Sequence, residues 1–454
     1  MDRHTFVEFQ SQLTGEVVLP ESPEYDDLRN VFNQTGNPAV IVRPKNTDEI
    51  AGAIRFAQDN QLKLSVRSGG HGATGLSTND GGLVIDLSHF NSVEVLDPAQ
   101  RLVRIGTGAK WGDVAQALAP HGLAISSGDT NSVGVGGLTL GGGIGWMVRK
   151  YGLTIDSLEA AEIVTADGRT LRVSANEHPD LFWAIRGGGG NFGVVTYFDF
   201  RAQPVQTVVG GLVTFDIAEA ESILPKWIEY MRTAPEELNS TIALFSGFGP
   251  EVPPGLFMYV CYGGDDEAVA NAAIQPLLEL GTVREQDIQK KPYYQMLEDA
   301  QLPPGFRVLS TTGFIKTLNQ DVIDALTASY GRPGAPIVQI RSLGGAMSRV
   351  APEATAFAHR NYEVFILAGK PVPVTTAPEE MERIRKEAWR PIEKFVEGAY
   401  INFQSDAGES SINAAYPPAT YARLARVKAA YDPNNLFNQN HNIKPAVSNG
   451  SVQP

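Results

Sequence analysis

The stretch VGVGGLTLGGGIG at residues 133–145 has a glycine at seven of its thirteen positions. Glycine permits positive φ angles and lets the backbone approach a ligand closely, so that backbone N–H groups can surround a diphosphate. Such a density costs chain entropy, and tight packing of turns would explain two or three of these glycines but not seven. The stretch therefore predicts a loop that cradles a nucleotide-like ligand.

Two more glycine-rich segments accompany this run. SGGHG at residues 68–72 directly follows an alternating strand pattern, so the imidazole of His71 can project into whatever the loop holds. GGGNFG at residues 188–193 formally matches GxGxxG, but it follows a helix-like segment, 180–185, and precedes a strand-like one, 194–200. That order reverses the strand–turn–helix context of a dinucleotide-binding fold, so we interpret the segment as a third loop of a different cofactor site.

Composition narrows the class of protein. The 454 residues are enough for two or three domains, and the net charge of −14 disfavours nucleic acid and anionic membranes as partners. No stretch approaches about 20 apolar residues, and the first residues lack a signal-like apolar region, so a cytoplasmic protein is expected. The single cysteine, Cys261, lies in an apolar run and is expected to be buried. The seven histidines show no metal-binding spacing, so no metal site is expected.

The pattern of elements changes near residue 204. Residues 38–203 alternate short strands and helices, whereas residues 205–405 combine strand-like runs with helical segments and contain no comparable glycine cluster. This order of strands and helices favours an α+β protein whose second domain is an antiparallel sheet with helices on one side. Helical segments are predicted at 218–233, 264–280 and 378–397 within this second region, and at 418–430 in the C-terminal piece that follows it.

The ordered motifs at residues 66–72, 128–145 and 188–195 resemble the FAD-binding domain of the vanillyl-alcohol oxidase / p-cresol methylhydroxylase (PCMH) superfamily. The tail at residues 421–445 resembles the berberine bridge enzyme-like branch, and the likeness is weakest across about 205–350. The resemblance implies a two-lobed PCMH-type FAD-binding domain and a substrate domain with an antiparallel sheet flanked by helices. A C-terminal segment would return to the FAD domain. The expected bounds are 1–204, 205–405 and 406–454.

The resemblance also implies a cofactor, FAD, that is bonded covalently through His71 to its 8α-methyl group. The loops would hold the diphosphate and flank the ring, and the tail would close over the flavin. The residues implied to hold FAD are Arg67, Ser68, Gly69, Gly70, His71, Gly72, Ser77, Gly128, Asp129, Thr130, Val133, Gly134, Gly136, Gly137, Gly141, Gly142, Gly145, Gly190, Asn191, Gly193, Val194, Val195, Asn440 and Asn442.

Two positions depart from or vary within the family pattern. Many relatives attach the flavin a second time through a cysteine where this chain has Thr130, so a single covalent link is expected. Val133 occupies a position where a small residue lets oxygen reach the flavin and a bulkier one goes with dehydrogenase behaviour, so the resemblance favours an oxidase.

The catalytic base is the least defined part of the site. In many related oxidases the second tyrosine of an Ala-Tyr-x-Asn-Tyr segment is the base, and here that position is Phe403. A second family position, which carries Glu or Gln in plant members, corresponds to Ala368. The remaining candidates are tyrosines and one histidine, each of which could equally have a packing role: Tyr400, Tyr151, His359 and Tyr362.

Three functions remain open from the sequence. The first is an oxidase that transfers hydride from a small alcohol, sugar, amine or secondary metabolite to flavin N5 and produces hydrogen peroxide with O2. The second is a dehydrogenase with another electron acceptor. The third is a flavin-bearing protein that has lost catalytic activity. This possibility stays open because positions 368 and 403 lack the bases found in relatives. An amine or an already deprotonated phenol-like substrate would need orientation more than a base.

Overall fold

The computed structural model describes residues 3–247, 253–299, 302 and 304–447. The outermost ends of the predicted bounds, 1–204 and 406–454, lie outside the described residues. Within the described part, the chain has the predicted α+β architecture, with separate mixed and antiparallel sheets. No helix in these ranges is both long and apolar enough to cross a bilayer.

A small mixed sheet carries the glycine loop at residues 68–72. In chain order this is the first glycine loop, residues 133–145 contain the second, and residues 188–193 form the third. The helix Thr47–Asp59 packs on it, and Asn46 caps this helix by accepting a hydrogen bond from the N–H of Glu49, as its sequence indicates. Ile50 and Ile54 are completely buried in the same core, which also includes Phe9 from the N-terminal segment. The strand order, taken over the described residues, is Glu16–Val18, Val40–Arg43, Leu83–Asp86 and Leu64–Arg67, the last three parallel.

A second, antiparallel sheet carries the third glycine loop. The segment 188–193 follows the helix Pro179–Ala184 and leads into the strand Val194–Arg201, so it does not occur in a Rossmann context. In the described part of the chain the strands are ordered Thr170–Ser174, Leu158–Val164, Val194–Arg201, Leu102–Gly106 and Val93–Asp97.

The third sheet is larger and entirely antiparallel. One face is covered by the helices Ala220–Thr233, Glu267–Leu278 and Gln320–Ser329, which share a core with it. Its strands, in the order of pairing within the described ranges, are Glu285–Gln286, Thr207–Phe215, Gly255–Tyr262, Leu238–Phe245, Ile337–Ser342, Val364–Pro373 and Phe306–Ile315; Gln289–Pro292 also pairs with Thr207–Phe215.

Several helical predictions need correction. The glycine run is not a continuous loop, because residues Val135–Gly141 form a short helix inside it. The helix expected over 378–397 ends at Trp389 and is followed by a turn of 3₁₀-helix at Glu393–Phe395. The other α-helices in the described part are Arg3–Gln10, Tyr25–Leu28, Trp111–Leu118, Val148–Tyr151, Ala346–Arg349, Glu409–Ala415 and Pro418–Tyr431. Further 3₁₀ segments are Ala119–His121, Thr154–Ser157, Ile217–Glu219, Tyr293–Met296 and Ile401–Phe403, and Asn30–Val31 pairs with Gln34–Thr35.

Candidate active site

A cavity of about 630 Å³ lies where the three glycine loops meet the open face of the large sheet. This volume is within the range of about 300–1,000 Å³ that is typical of ligand sites. Most of the predicted FAD-holding residues line it: Ser68, Gly69, Gly70, His71, Gly72, Ser77, Gly128, Asp129, Thr130, Val133, Gly134, Gly136, Gly137, Gly190, Asn191, Gly193, Val195 and Asn440.

The remaining predicted residues are not among the described residues that line the cavity. Arg67 forms a buried ion pair with Asp86, and Val194 packs into the core of the small mixed sheet. Gly145 is a packing glycine, because a Cβ there would lie 1.3 Å from the carbonyl oxygen of Ser127. Gly141, Gly142 and Asn442 are likewise absent from the cavity wall among the described residues.

The first two glycine loops touch each other directly. A Cβ on Gly69 would lie 2.3 Å from the backbone nitrogen of Gly134, and a Cβ on Gly134 would lie 2.1 Å from the nitrogen of Gly69. The hydroxyl of Ser68 joins the same contact by accepting a hydrogen bond from the N–H of Gly136 at 3.1 Å. These glycines are therefore required for loop-to-loop packing as well as for the shape of the cavity.

His71 lies at the cavity wall, as predicted. Its imidazole stacks on Phe32, with ring centroids 5.0 Å apart, and its Nε2 lies 2.8 Å from the hydroxyl of Ser132. Burial lowers the pKa of His71, and the nearby carboxylate of Asp299 opposes this shift. The ring is consequently neutral at neutral pH, which leaves one nitrogen with a free lone pair.

The C-terminal segment closes the site from the side of the third loop. Asn191 donates to the carbonyl of His441 at 3.1 Å and accepts from the N–H of Ile443 at 2.9 Å. Asn440 donates to the carbonyl of Gly190 at 3.1 Å. The fully buried ammonium of Lys428 donates to the carbonyl of Asn191 at 2.7 Å. The tail and the third loop therefore form one hydrogen-bonded unit.

The large sheet supplies the opposite wall through one row of directly paired residues. Leu212 pairs with Tyr259, Tyr259 with Thr241, and Thr241 with Arg341. Directly opposite residues of antiparallel strands project from the same face, and all four of these residues line the cavity. Gln339, two positions before Arg341 on the same strand, also lines it. This row is a polar surface that faces the glycine loops.

Arg341 is the central polar group of that surface. It is 5% exposed, its Nη2 lies 2.5 Å from a carboxylate oxygen of Asp129, and it donates to Gln339 at 2.9 Å. Its guanidinium also lies 5.0 Å from the ring centroid of Phe403. Within the described part of the chain, Nε of Arg341 and the hydroxyl of Thr241 are buried without a hydrogen-bond partner. Since buried polar groups are nearly always paired, both groups are suited to contact a bound molecule.

Replacing Arg341 with methionine is expected to lower kcat/KM by about a hundredfold, or about 2.7 kcal/mol, because it leaves the half-buried Asp129 carboxylate without its partner. Flavin content should stay near that of the parent. The rate of flavin bleaching by substrate under anaerobic conditions measures the effect. Arg349→Met, which removes an exposed ion pair with Glu236, is the control and should leave kcat/KM unchanged. Equal rates for the two variants would contradict a contact between Arg341 and the substrate.

Tyr400 lines the cavity, but its hydroxyl does not resemble a general base. Its oxygen accepts hydrogen bonds from the N–H groups of Gly143 at 2.9 Å and Ile144 at 3.3 Å, and from the side-chain amide of Asn402 at 2.8 Å. Burial raises the pKa of Tyr400 to about 12. At neutral pH it is therefore a phenol with a fixed orientation.

The other three candidates lie elsewhere. Tyr151 packs against the core of the five-stranded sheet, and His359 stacks on Phe314 with centroids 4.9 Å apart while its Nε2 contacts the carbonyl of Ala415. Tyr362 donates to Glu397 at 2.9 Å. None of the three is among the described residues that line the cavity. The structure thus separates these candidates from the site and leaves Tyr400 there.

Positions 403 and 368, which correspond to the catalytic base in relatives, also differ from each other in the direction that their side chains face. Phe403 faces the cavity, whereas the side chain of Ala368 is buried in the core between the sheet and its helices. The neighbouring Leu367 is the residue of that strand that lines the cavity. No titratable side chain is supplied from either position.

Two buried polar atoms support the fit of a cofactor in the loop region. The hydroxyl of Ser77 and the side-chain oxygen of Asn440 line the cavity and have no hydrogen-bond partner among the described residues. Gly137 gives a further indication, because it lies in a helix and a Cβ there would meet no protein atom within 4 Å. The protein itself would therefore tolerate alanine at this position, so the open space suits a bound group.

We expect Gly137→Ala to lower the flavin content of the purified protein. Alanine in place of a helical glycine adds up to about 1 kcal/mol of stability, so a loss of FAD would report the space taken by the new methyl group rather than unfolding. Absorbance of bound flavin per protein, together with the Tm, measures both effects. Gly52→Ala, in the open helix Thr47–Asp59, is the control that keeps its flavin. Full flavin content in Gly137→Ala would contradict the idea that bound FAD occupies the space next to Gly137.

Comparison with known proteins identifies the cofactor. The chain matches the family model of the FAD binding domain over residues 38–174 and the model described as berberine and berberine like over residues 399–444. It is 31% identical to an FAD-linked oxidoreductase of Dictyostelium discoideum, with 96% of each chain covered. Fold and site together define an FAD-binding oxidoreductase.

Solved structures agree with this class. The crystal structure of 6-hydroxy-D-nicotine oxidase from Arthrobacter nicotinovorans matches with a TM-score of 0.85 at 30% identity, covering 96% of this chain and 98% of that one. Glucooligosaccharide oxidase from Acremonium strictum, described with a 6-S-cysteinyl, 8α-N1-histidyl FAD, has the same fold, with a TM-score of 0.85 at 24% identity and 98% and 99% coverage. The chain belongs to the berberine bridge enzyme-like, PCMH-type family of FAD-linked oxidoreductases.

Sequence reasoning did not single out the residues of the sheet wall, namely Tyr259, Thr241, Arg341 and Gln339. The alternation of Gln339 and Arg341 with buried Val338 and Ile340 was a usable signal for one polar face. Ser132, which contacts His71, and Asp299, which contacts Ser132, were also not predicted from the sequence.

Proposed function

We propose that this protein is an oxidase that carries FAD covalently on His71 alone and oxidises a small organic substrate, with O2 as the electron acceptor. The bound cofactor supplies a hydride-accepting N5 atom. The observation that carries the proposal is the position of His71, which lies in a glycine loop at the cavity wall and has one imidazole nitrogen without a hydrogen-bond partner among the described residues. The substrate classes considered are an alcohol, a sugar, an amine or another secondary metabolite.

A single covalent link is supported by the surroundings of the only cysteine. Thr130 lines the cavity where many relatives carry the second attachment residue, and its hydroxyl donates to Asp129 at 2.8 Å. Cys261 is fully buried in the strand Gly255–Tyr262, and burial raises its pKa to about 12. Its thiol is therefore neither exposed nor ionised, as nucleophilic attack would require.

The sheet wall is proposed to bind and orient the substrate. Arg341 and Thr241 offer unpaired donors toward the cavity, and the hydroxyl of Tyr400 is protonated at neutral pH. Asp129 is the carboxylate beside Arg341 and is proposed to accept the proton of the substrate hydroxyl or amine. The ion pair with Arg341 would hold this carboxylate in place. Orientation of the substrate over the flavin is then the main contribution of these residues.

Oxygen as acceptor is supported by Val133, which lines the cavity and is smaller than the leucine associated with dehydrogenases. A dehydrogenase is the second candidate, and a catalytically silent flavoprotein is the third, favoured by Phe403 and Ala368 at the two family base positions. Peroxide formed in air, compared with turnover of an artificial acceptor, separates the first two. A flavin that stays oxidised with every compound of an anaerobic substrate screen would indicate the third.

The covalent link is tested by His71→Ala. We expect the parent protein to keep its yellow colour in an acid-precipitated pellet, because the flavin is bonded to the chain, and the variant to release all of its flavin to the supernatant. The control is His121→Ala, which changes an exposed histidine away from the cavity and should behave like the parent. Release of flavin from the parent would contradict the covalent link, and colour in the pellet of His71→Ala would contradict the choice of residue.

A further inference from the structure

Three polar side chains form a chain of hydrogen bonds that ends on His71. Nε2 of His71 lies 2.8 Å from the hydroxyl oxygen of Ser132, and that hydroxyl donates to a carboxylate oxygen of Asp299 at 2.5 Å. The backbone N–H of Ser132 donates to the same oxygen at 2.9 Å, and Asn131 donates to the other oxygen at 3.3 Å. Asp299 is 167 residues from Ser132 in sequence, so only the fold brings them together.

This chain of hydrogen bonds fixes the position of the imidazole proton. An ionised carboxylate can only accept, and hydrogen bonds from Ser132 help to hold the pKa of Asp299 below its usual value, against the opposing effect of burial. Ser132 has one hydroxyl hydrogen, and it is given to Asp299. The hydroxyl oxygen must then accept from His71, which places the proton on Nε2 and the free lone pair on Nδ1.

The ring is also held in this orientation by its neighbours. Phe32 stacks against it with an interplanar angle of 18°, which holds the plane of the ring, and a 180° flip within that plane would lose the hydrogen bond to Ser132. His71 and Asp299 both line the cavity, so the pair lies at the wall where a flavin would be bound. The same contacts thus define Nδ1 as the nitrogen that is free to react and Ser132 as the route for the proton on Nε2.

We propose that Ser132 and Asp299 direct attachment of FAD to Nδ1 of His71 and receive the proton that leaves Nε2. This inference rests on the proposed covalent link. A bond forms between Nδ1 and the 8α carbon, while one methyl C–H bond and the Nε2–H bond break. The two electrons released and the methyl proton are taken up by the flavin ring, and dioxygen reoxidises the ring to form hydrogen peroxide, whose second proton corresponds to the one released from Nε2. Ser132 and Asp299 are positioning residues, because they act through His71.

The test compares Asp299→Asn, Asp299→Glu and Ser132→Ala with the parent. Each protein is incubated with excess FAD, total bound flavin is measured, and the covalently modified fraction is followed by intact mass. We expect the asparagine and alanine variants to bind FAD but to attach it on the order of a hundredfold more slowly, as for loss of a proton acceptor, and the glutamate variant to recover part of the rate. Asp113→Asn removes an exposed carboxylate that is not among the described residues lining the cavity, and it should match the parent.

A second measurement needs no variant. Nuclear magnetic resonance of the flavinylated peptide from the parent should show the flavin on Nδ1. Attachment through Nε2, or full-rate attachment in Asp299→Asn, would overturn the inference while leaving the covalent link intact. A parent that binds FAD without any covalent adduct would instead overturn the proposed link, and with it this inference.

Discussion

Replacing Gly134 with alanine is expected to yield a less stable protein that is purified without most of its FAD. Gly134 has φ −72° and ψ 142°, which alanine adopts readily, so backbone strain is not the cause. The cause is contact, because the new Cβ would lie 2.1 Å from the nitrogen of Gly69 and 2.2 Å from the hydroxyl oxygen of Ser68. The first and second glycine loops would have to separate, and both line the cavity.

The expected loss of stability is about 1–3 kcal/mol, the usual range for overpacking a close contact. Denaturant unfolding gives this value, and flavin absorbance per protein gives the loss of cofactor. Gly52→Ala adds the same methyl group where the nearest atom lies 4.0 Å away and should retain both stability and FAD. A Gly134→Ala protein with normal flavin content would show that the two loops do not need this close approach.

The second large effect is expected at Lys428. Lys428 and Asp432 are both completely buried, and the ammonium donates to Asp432 at 2.7 Å and to the carbonyls of Asn191 and Phe437. Burial lowers the pKa of Lys428, and the carboxylate of Asp432 opposes this shift. Truncation to alanine would leave a buried carboxylate without its cation, which costs about 3–5 kcal/mol. Because the ammonium joins the tail to the third glycine loop, FAD binding should weaken as well.

Lys386→Ala is the matched control for this variant. Lys386 forms an exposed ion pair with Glu382, four residues earlier in the same helix, and such pairs contribute no more than about 0.5 kcal/mol. Guanidinium unfolding of both variants, with flavin release followed in parallel, measures the difference. A Lys428→Ala protein as stable as Lys386→Ala would contradict the role given to the tail.

The glycine loops were predictable from the sequence because their signal is local. Glycine density, the position of His71 after a strand and the helix-to-strand order around residues 188–193 are all short-range features. The antiparallel sheet was predictable from alternating apolar residues for most strands. The strand Phe306–Ile315 was missed because Ser310, Thr311 and Thr312 interrupt that alternation. They are buried polar residues, and Thr312 accepts and donates hydrogen bonds with Tyr400.

The sheet wall of the cavity could not be predicted in the same way. Tyr259, Thr241 and Arg341 belong to three different strands and become neighbours only through the register of the sheet. The ion pair between Arg341 and Asp129 joins residues more than two hundred positions apart, and the contact of Asp299 with Ser132 is similarly remote. Such juxtapositions carry no periodic signal, so the catalytic candidates chosen from local motifs included Tyr151 and His359, which the fold places elsewhere.

The mass of the unmutated protein under denaturing conditions tests the central claim most directly. We expect a single species heavier than the polypeptide by one FAD less two hydrogen atoms, with the modified peptide mapping to His71. A polypeptide of unmodified mass, with all flavin released on denaturation, would contradict it.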